Sequence, residues 1–326
     1  IRDGWEADLL AWAGIRPDQL PPVVPSGAAP GRLTAKAAAT LGLPPGIPVA
    51  AGAGDRCCEA LGAGVTPVPA SQGAPGCRVM VSTGTATNVS GVLDRIPSPL
   101  VGGVLYTRHA VPGQWLAEQG ISAGGSVLRW FRDTLGHVGY DELNRLAGAS
   151  SPGAGGLLIL PYFMGARATR WNPTARGAWL GLTLGHTPGD LARSIMEGVA
   201  LEVRACLEVL GGAGQAPTEL VMLGGGANSP LWCQIKADVT GVPVVVPRVT
   251  SAACLGAMFL GGQAAGLWTD PVAAARSANP IVKRFEPDPS RHAFYGRLYS
   301  LYNRLYSAVA PLYDELTALA VVESEN

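Results

Sequence analysis

Hydrophobic positions recur most regularly between residues 188 and 211. Leu191, Ile195, Val199, Val203, Leu207 and Leu210 fall at helical spacing there, Pro188 opens the run, and Gly211 and Gly212 close it. The pattern predicts a buried helix. A second stripe, Phe294, Leu298, Leu301, Leu305, Leu312 and Leu316, predicts one long amphipathic helix closing the chain after EPDPS. Elsewhere the runs are β-rich. RVMVSTG and TATNVSGV, within residues 78 to 92, meet at Thr83 and Gly84 and predict a hairpin; LYTRHA and QWLAEQ follow around Pro112 and Gly113. SAGGSVLRWFRDTLG returns to helical period, while LLILPYF and RGAWLGLTLG read as strands. ELVMLGGGANSPLWCQIKADVTGVPVVVP reads as strand, glycine loop, helix and strand, with helical segments over 251–266 and 270–278 beyond it. Residues 1–54 give only short pieces: helical WEADLLAWAG and LTAKAAATLG, a Pro-rich turn, and a PVAA strand running into GAGD. This alternation predicts an α/β fold with hairpins feeding a mixed sheet flanked by helices.

Composition sharpens the picture. With 326 residues, 48% hydrophobic and 15% charged, the chain has material for a sizeable core and about two domains or parts of them. Formal net charge is zero and the basic residues are scattered, so neither nucleic acid nor an anionic membrane is expected as a partner. Cys57, Cys58, Cys77, Cys206, Cys233 and Cys254 form no CxxC pair and no His-containing ligand set, which fits a reducing cytoplasm. No apolar run is long enough for a membrane span, and no export signal is apparent. The chain opens on Ile1 rather than Met, so sequence before it is expected.

The candidate chemistry sits in glycine loops. Glycine after a strand lets backbone N–H groups approach an anion closely. Two common phosphate cradles are excluded. A P-loop needs Lys after Gly, and Lys36, Lys236 and Lys283 all lack it; a dinucleotide fingerprint would need Gly where Cys57 stands. Asp55 lies between a glycine turn and the first turn of a helix, where the plain reading is an N-cap. The scattered histidines 109, 137, 186 and 292 read as structural or surface residues, and Cys57 and Cys58 as helix-face packing. The tyrosines at 295, 299, 302 and 306 read as core or docking.

Taken in order, GAGD, STGTATN and LGGGANSPLW resemble the carboxy-terminal half of the FGGY carbohydrate kinases, a family that includes xylulokinase and glycerol kinase. The resemblance implies an actin-like ATPase (ribonuclease H-like) fold, with residues 1–54 as the tail of the amino-terminal, sugar-binding domain and 55–326 as the carboxy-terminal nucleotide-binding domain. It implies an ATP-dependent sugar or polyol kinase, with a pentulose such as xylulose as the leading acceptor. Asp55 matches the family's catalytic base, which accepts the proton of the attacking hydroxyl. Gly84 and Thr85 match its second phosphate hairpin, Gly124 and Gly125 the glycines bordering the nucleotide, and Gly224, Gly225, Gly226, Ala227, Asn228 and Ser229 the adenosine motif. Leu231 and Trp232 read as core rather than as an adenine stack. Mg2+ is expected to arrive with ATP, held by phosphates and water rather than by a protein cage.

The chain departs from the family pattern at Ala166, Asn172 and Ser251, where acidic residues are usual. These departures bear on subfamily and acceptor rather than on phosphoryl transfer. The rival expectations are a non-catalytic actin-like nucleotide-binding module and an inactive structural fragment. Fold alone does not choose among them; a carboxylate at Asp55 favours catalysis. The apolar, tyrosine-rich terminal helix allows a homodimer.

Overall fold

The computed structural model describes residues 4–65, 67, 77–134, 137–214 and 216–322. The first short pieces are α1 (Ala7–Ala13), β1 (Gly31–Arg32), α2 (Ala35–Leu41) and β2 (Pro48–Val49), with β1 and β2 paired antiparallel. They lead into α3 (Asp55–Gly62) and then four strands, β3 (Cys77–Thr83), β4 (Thr87–Leu93), β5 (Leu105–Arg108) and β6 (Trp115–Ile121). α4 (Gly125–Thr134), α5 (Tyr140–Ala149), the small ribbon of β7 (Leu158–Leu160) and β8 (Ala178–Leu180), and α6 (Pro188–Gly212) follow. The remainder is β9 (Pro217–Leu223), α7 (Pro230–Thr240), β10 (Val244–Pro247), α8 (Ala252–Ala264), α9 (Pro271–Ala278), β11 (Ile281–Phe285), α10 (Pro289–Val309) and α11 (Leu312–Val322).

Seven strands form one mixed sheet in the order β11-β10-β9-β3-β4-β6-β5. β3, β9 and β10 run parallel, and the hairpin strands extend the sheet antiparallel. Alternation along β3 separates two cores. Val79 and Val81 join Val203, Cys206, Leu207 and Leu210 of α6, whereas Met80 joins Leu61 of α3 and Phe259 and Leu260 of α8. α3 and α8 touch backbone to backbone. A Cβ on Gly62 would lie 2.1 Å from the carbonyl oxygen of Ala252, and one on Gly256 would lie 1.9 Å from that of Cys58.

The helix predicted over 188–211 forms as α6, with Thr187 accepting from the Asp190 N–H and the Asp190 side chain returning to the Thr187 N–H. The closing helix differs from its expectation: it breaks between Val309 and Leu312, around Pro311, which lacks the N–H needed to continue a helix. Leu301, Leu312 and Leu316 of the predicted stripe are exposed; the buried face is carried instead by Tyr295, Leu298, Tyr299, Tyr302 and Leu305. The tyrosines donate to carboxylates that α6 buries. Tyr302 donates to Glu202 Oε1 at 2.6 Å and Tyr295 to Glu197 Oε1 at 2.7 Å, and Arg193 Nε donates to Glu197 at 2.7 Å.

Lys236 of α7 is fully buried, its Nζ 4.1 Å from the centre of the Trp232 ring and without a hydrogen-bond acceptor among the described residues. Burial lowers its pKa to about 7 from 10.5, while Cys233 acts in the opposite direction. The Trp232 face also favours the charged form. Between about pH 7 and 10.5 the unfolded chain binds more protons here than the folded one, so this residue's penalty, fully present below pH 7, fades as pH rises. Lys236→Met is therefore expected to raise the thermal midpoint at pH 7 by removing a cost on the order of a few kcal/mol. The gain should shrink in melts at pH 9; a gain independent of pH would mean that packing, not the amine, is responsible.

Candidate functional site

A cleft of about 330 Å3 opens at the carboxyl ends of the parallel strands β3 and β9, the position where open α/β sheets take ligands. Four segments build it: Thr83, Gly84 and Thr85 from the β3–β4 turn; Gly125, Leu128 and Arg129 from α4; Tyr140, Asp141 and Asn144 from α5; and Gly225, Gly226, Asn228 and Ser229 from the loop after β9. Of the glycine-motif residues singled out in the sequence, Gly84, Thr85, Gly125, Gly225, Gly226, Asn228 and Ser229 line this cleft.

Gly124, Gly224 and Ala227 stand behind it. A Cβ on Gly124 would meet Thr87 Oγ1 at 2.2 Å; Gly224 has φ +69°, and its Cβ would meet the Thr83 carbonyl oxygen at 2.7 Å. Ala227 is buried. These residues let the loops approach the strands rather than presenting groups to a ligand. The start of α4 also grips the hairpin: Gly124 and Ser126 N–H donate to Thr85 O, and Gly125 N–H donates to Gly84 O at 2.9 Å. Three N–H groups of that helix start are thereby satisfied within the protein. A Cβ on Gly125 would lie 2.4 Å from Gly84 O, so the grip itself requires glycine.

At the loop after β9, Gly225 has open space where a Cβ would stand, whereas one on Gly226 would lie 2.7 Å from Thr83 Cβ. Ser229 caps α7, accepting from Trp232 N–H at 3.1 Å and donating to Asn144 Oδ1 at 2.5 Å, which ties α7 to α5 across the cleft. Trp232 is core, donating to Met196 O at 3.0 Å. Arg129, Tyr140, Asp141 and Asn144 are residues the sequence reading missed. YDELNRLAGA carries Asp141 and Glu142 in a first helical turn with Leu143 and Ala147 buried four apart, a signal sufficient to have placed α5. Arg129 supplies a guanidinium and Asn144 an amide to the wall, and Tyr140 adds an aromatic ring.

Asp55 does not line the cleft. It is the first residue of α3, with Gly54 in the cap position, so it is not the N-cap of the plain reading; its Oδ1 accepts from the Arg56 N–H at 2.8 Å. One turn on, Glu59 accepts from Ser82 Oγ at 2.6 Å and from Arg56 Nη1 at 2.7 Å, fastening the start of α3 to the end of β3. Ser82 and Thr83 point to opposite faces of β3: Ser82 meets α3, Thr83 the cleft. Cys57 and Cys58 are buried, and burial pushes both thiols up, which suits packing rather than nucleophilic attack. Among the described residues no three His, Cys, Asp or Glu side chains gather as a metal cage. A divalent ion carried on nucleotide phosphates needs no such cage.

The chain is similar to known proteins in sequence and in fold. The FGGY family of carbohydrate kinases, C-terminal domain, matches residues 78–265, and the family's N-terminal domain matches residues 2–62. The chain is 32% identical to a gluconokinase of Bacillus licheniformis over 80% of its own length and 52% of the relative's. It is 34% identical to a glycerol kinase of Trichlorobacter lovleyi over 83% and 53%. A solved structure of xylulose kinase from Rhodospirillum rubrum superposes with a TM-score of 0.81 at 33% identity, covering 95% of this chain and 62% of that one. The chain thus spans about half the length of the curated relatives it matches.

Proposed function

Because the chain belongs to the FGGY family of carbohydrate kinases, we propose that it forms the nucleotide-binding half of an enzyme that moves the γ-phosphate of ATP to a carbohydrate hydroxyl. The observation that carries this reading is the meeting of three glycine-bearing segments around one cleft, with a carboxylate at the start of α3 on the other face of the same strand end. In this reading the acceptor oxygen bonds to the γ-phosphorus as the bond from that phosphorus to the β–γ bridging oxygen breaks. Asp55 takes the hydroxyl proton, and ADP leaves. Thr85, Gly225 and Gly226 would border the phosphates, with Asn228, Ser229 and the α5 wall along the nucleoside. Mg2+ would neutralise phosphate charge. Residues 1–54 belong, on the same reading, to the end of the sugar-binding domain, and a pentulose such as xylulose is the leading acceptor.

One lobe supplies half a clamp. In-line transfer needs the acceptor held within roughly 3–3.5 Å of the γ-phosphorus, and Trp5, Leu9, Trp12 and Leu41 of the first segment are exposed. By itself, the 326-residue chain is expected to bind ATP weakly and to phosphorylate no sugar; joined to a complete first domain, it should turn over. The assay supplies magnesium, ATP and a panel of pentoses, hexoses and polyols. Sugar phosphate formed by the chain alone would overturn the two-lobe reading, and none formed after completion would overturn the kinase reading.

A further inference from the structure

Glu59 is a charged residue placed inside an apolar layer. It is 7% exposed, and its chain neighbours Cys58 and Ala60 belong to the core that also holds Leu61, Met80 and Phe259. Both of its oxygens are taken: Oε1 accepts from Ser82 Oγ at 2.6 Å and Oε2 from Arg56 Nη1 at 2.7 Å. A buried carboxylate paired in this way adds little net stability over an apolar side chain of similar size, and its best-attested use is to fix how two elements sit against each other. Here the two elements are α3 and β3.

The two ends of the Ser82–Glu59 bond differ in freedom. Ser82 is a fixed post, paired with Asn88 of β4 on one side and with Leu223 of β9 on the other. The residues that follow Ser82 and Leu223 are Thr83 and Gly224, the roots of two of the glycine-bearing segments around the cleft. The start of α3 is held less firmly. Gly54 gives it no side-chain cap, Gly52 before it has φ +77°, and Asp55 is exposed. The helix is gripped at its far end, where Gly62 packs on Ala252 of α8 and its carbonyl accepts from Asn279 Nδ2 at 3.0 Å. Nearer the start, Cys57 Sγ donates to Arg108 O at 3.2 Å, a weak bond for a thiol. Asp55 and Glu59 are four residues apart, so they share one face of α3 and stand about 6 Å apart along its axis. Pinning Glu59 therefore sets where the Asp55 carboxylate stands relative to the strand end that carries Thr83 and Gly84.

We infer that Glu59 and Ser82 form a positioning pair that fixes the distance between the Asp55 carboxylate and the phosphate hairpin at Gly84 and Thr85. Neither residue lines the cleft. The pair acts through Asp55, holding the proton acceptor at the reach that in-line transfer demands, where a displacement of about 1 Å costs on the order of 10² in rate. The inference rests on the kinase reading of Asp55.

The test uses the chain joined to a complete first domain and follows a single turnover by rapid quench, with ATP affinity measured by calorimetry on the same preparations. Ser82→Ala, which removes one oxygen from β3, is expected to slow phosphoryl transfer about tenfold or more while ATP affinity stays within about twofold. Glu59→Ala should slow transfer to the same extent, and the double variant no further than either alone, because both changes cut one bond. If Glu59→Ala does not fold, Ser82→Ala still decides. A role in stability alone would lower the melting temperature of Ser82→Ala and leave its transfer rate as it was. Unchanged transfer in Ser82→Ala, single effects that multiply in the double variant, or ATP affinity falling in step with the rate would each overturn the pairing. If Ser82→Ala is fully active while Asp55→Asn is not, the positioning role is wrong and the kinase reading survives; if the unsubstituted completed chain transfers no phosphate, both fall.

Discussion

Asp55→Asn, in the chain joined to a complete first domain, is expected to lower carbohydrate phosphorylation by about 10² or more, the range of a general base, while leaving ATP affinity nearly unchanged. The separation of effects follows from where Asp55 sits. Its one described hydrogen bond is accepted from the Arg56 N–H through Oδ1, which an amide oxygen accepts equally well, so α3 should keep its start. The cleft is built from other segments, so nucleotide binding should not sense the change. What the amide cannot do is take a proton from the acceptor. Measuring turnover and ATP binding on the same preparation checks both halves; undiminished turnover would reduce Asp55 to a helix-start residue.

Gly225→Val is the second large effect: ATP affinity should fall about tenfold or more, because a branched side chain projects into space that the nucleotide needs. This position is more informative than its neighbour. A Cβ on Gly225 meets nothing within 4 Å, so the folded chain accommodates the change, whereas Gly226→Val must first displace Thr83, 2.7 Å from the new carbon. Weakened binding in Gly226→Val would mix strain with occlusion. Calorimetry with ATP on a Gly225→Val protein of normal melting temperature, joined to a complete first domain, decides the matter; unaltered affinity would remove the loop after β9 from the nucleotide site.

These two positions were legible in the sequence because glycines and an acid beside a glycine turn carry local signatures. The fold class was legible for a related reason: α6, the β3–β4 hairpin and the β9–α7–β10 run each obey a single period over their length. The α5 wall was not legible as part of a site. Tyr140, Asp141 and Asn144 look like an ordinary solvated helical turn until tertiary packing, including the Ser229 to Asn144 hydrogen bond, brings α5 against α7. The chain's end misled for a different reason. Leucine spacing points to a face of leucines, of which Leu298 and Leu305 are buried, but α6 also buries Glu197 and Glu202, and these carboxylates need polar partners, which Tyr295 and Tyr302 bring to the same face.

The touching backbones of α3 and α8 bear on how inherited variation in this chain should be interpreted. Gly62 and Gly256 present no functional group, and neither lines the cleft at the ends of β3 and β9. Yet a single added methyl at Gly256 would sit 1.9 Å from Cys58 O, forcing apart the helix whose first residue is Asp55. A Gly256→Ala allele would pass any survey limited to reactive side chains and still displace Asp55, the residue proposed here as proton acceptor.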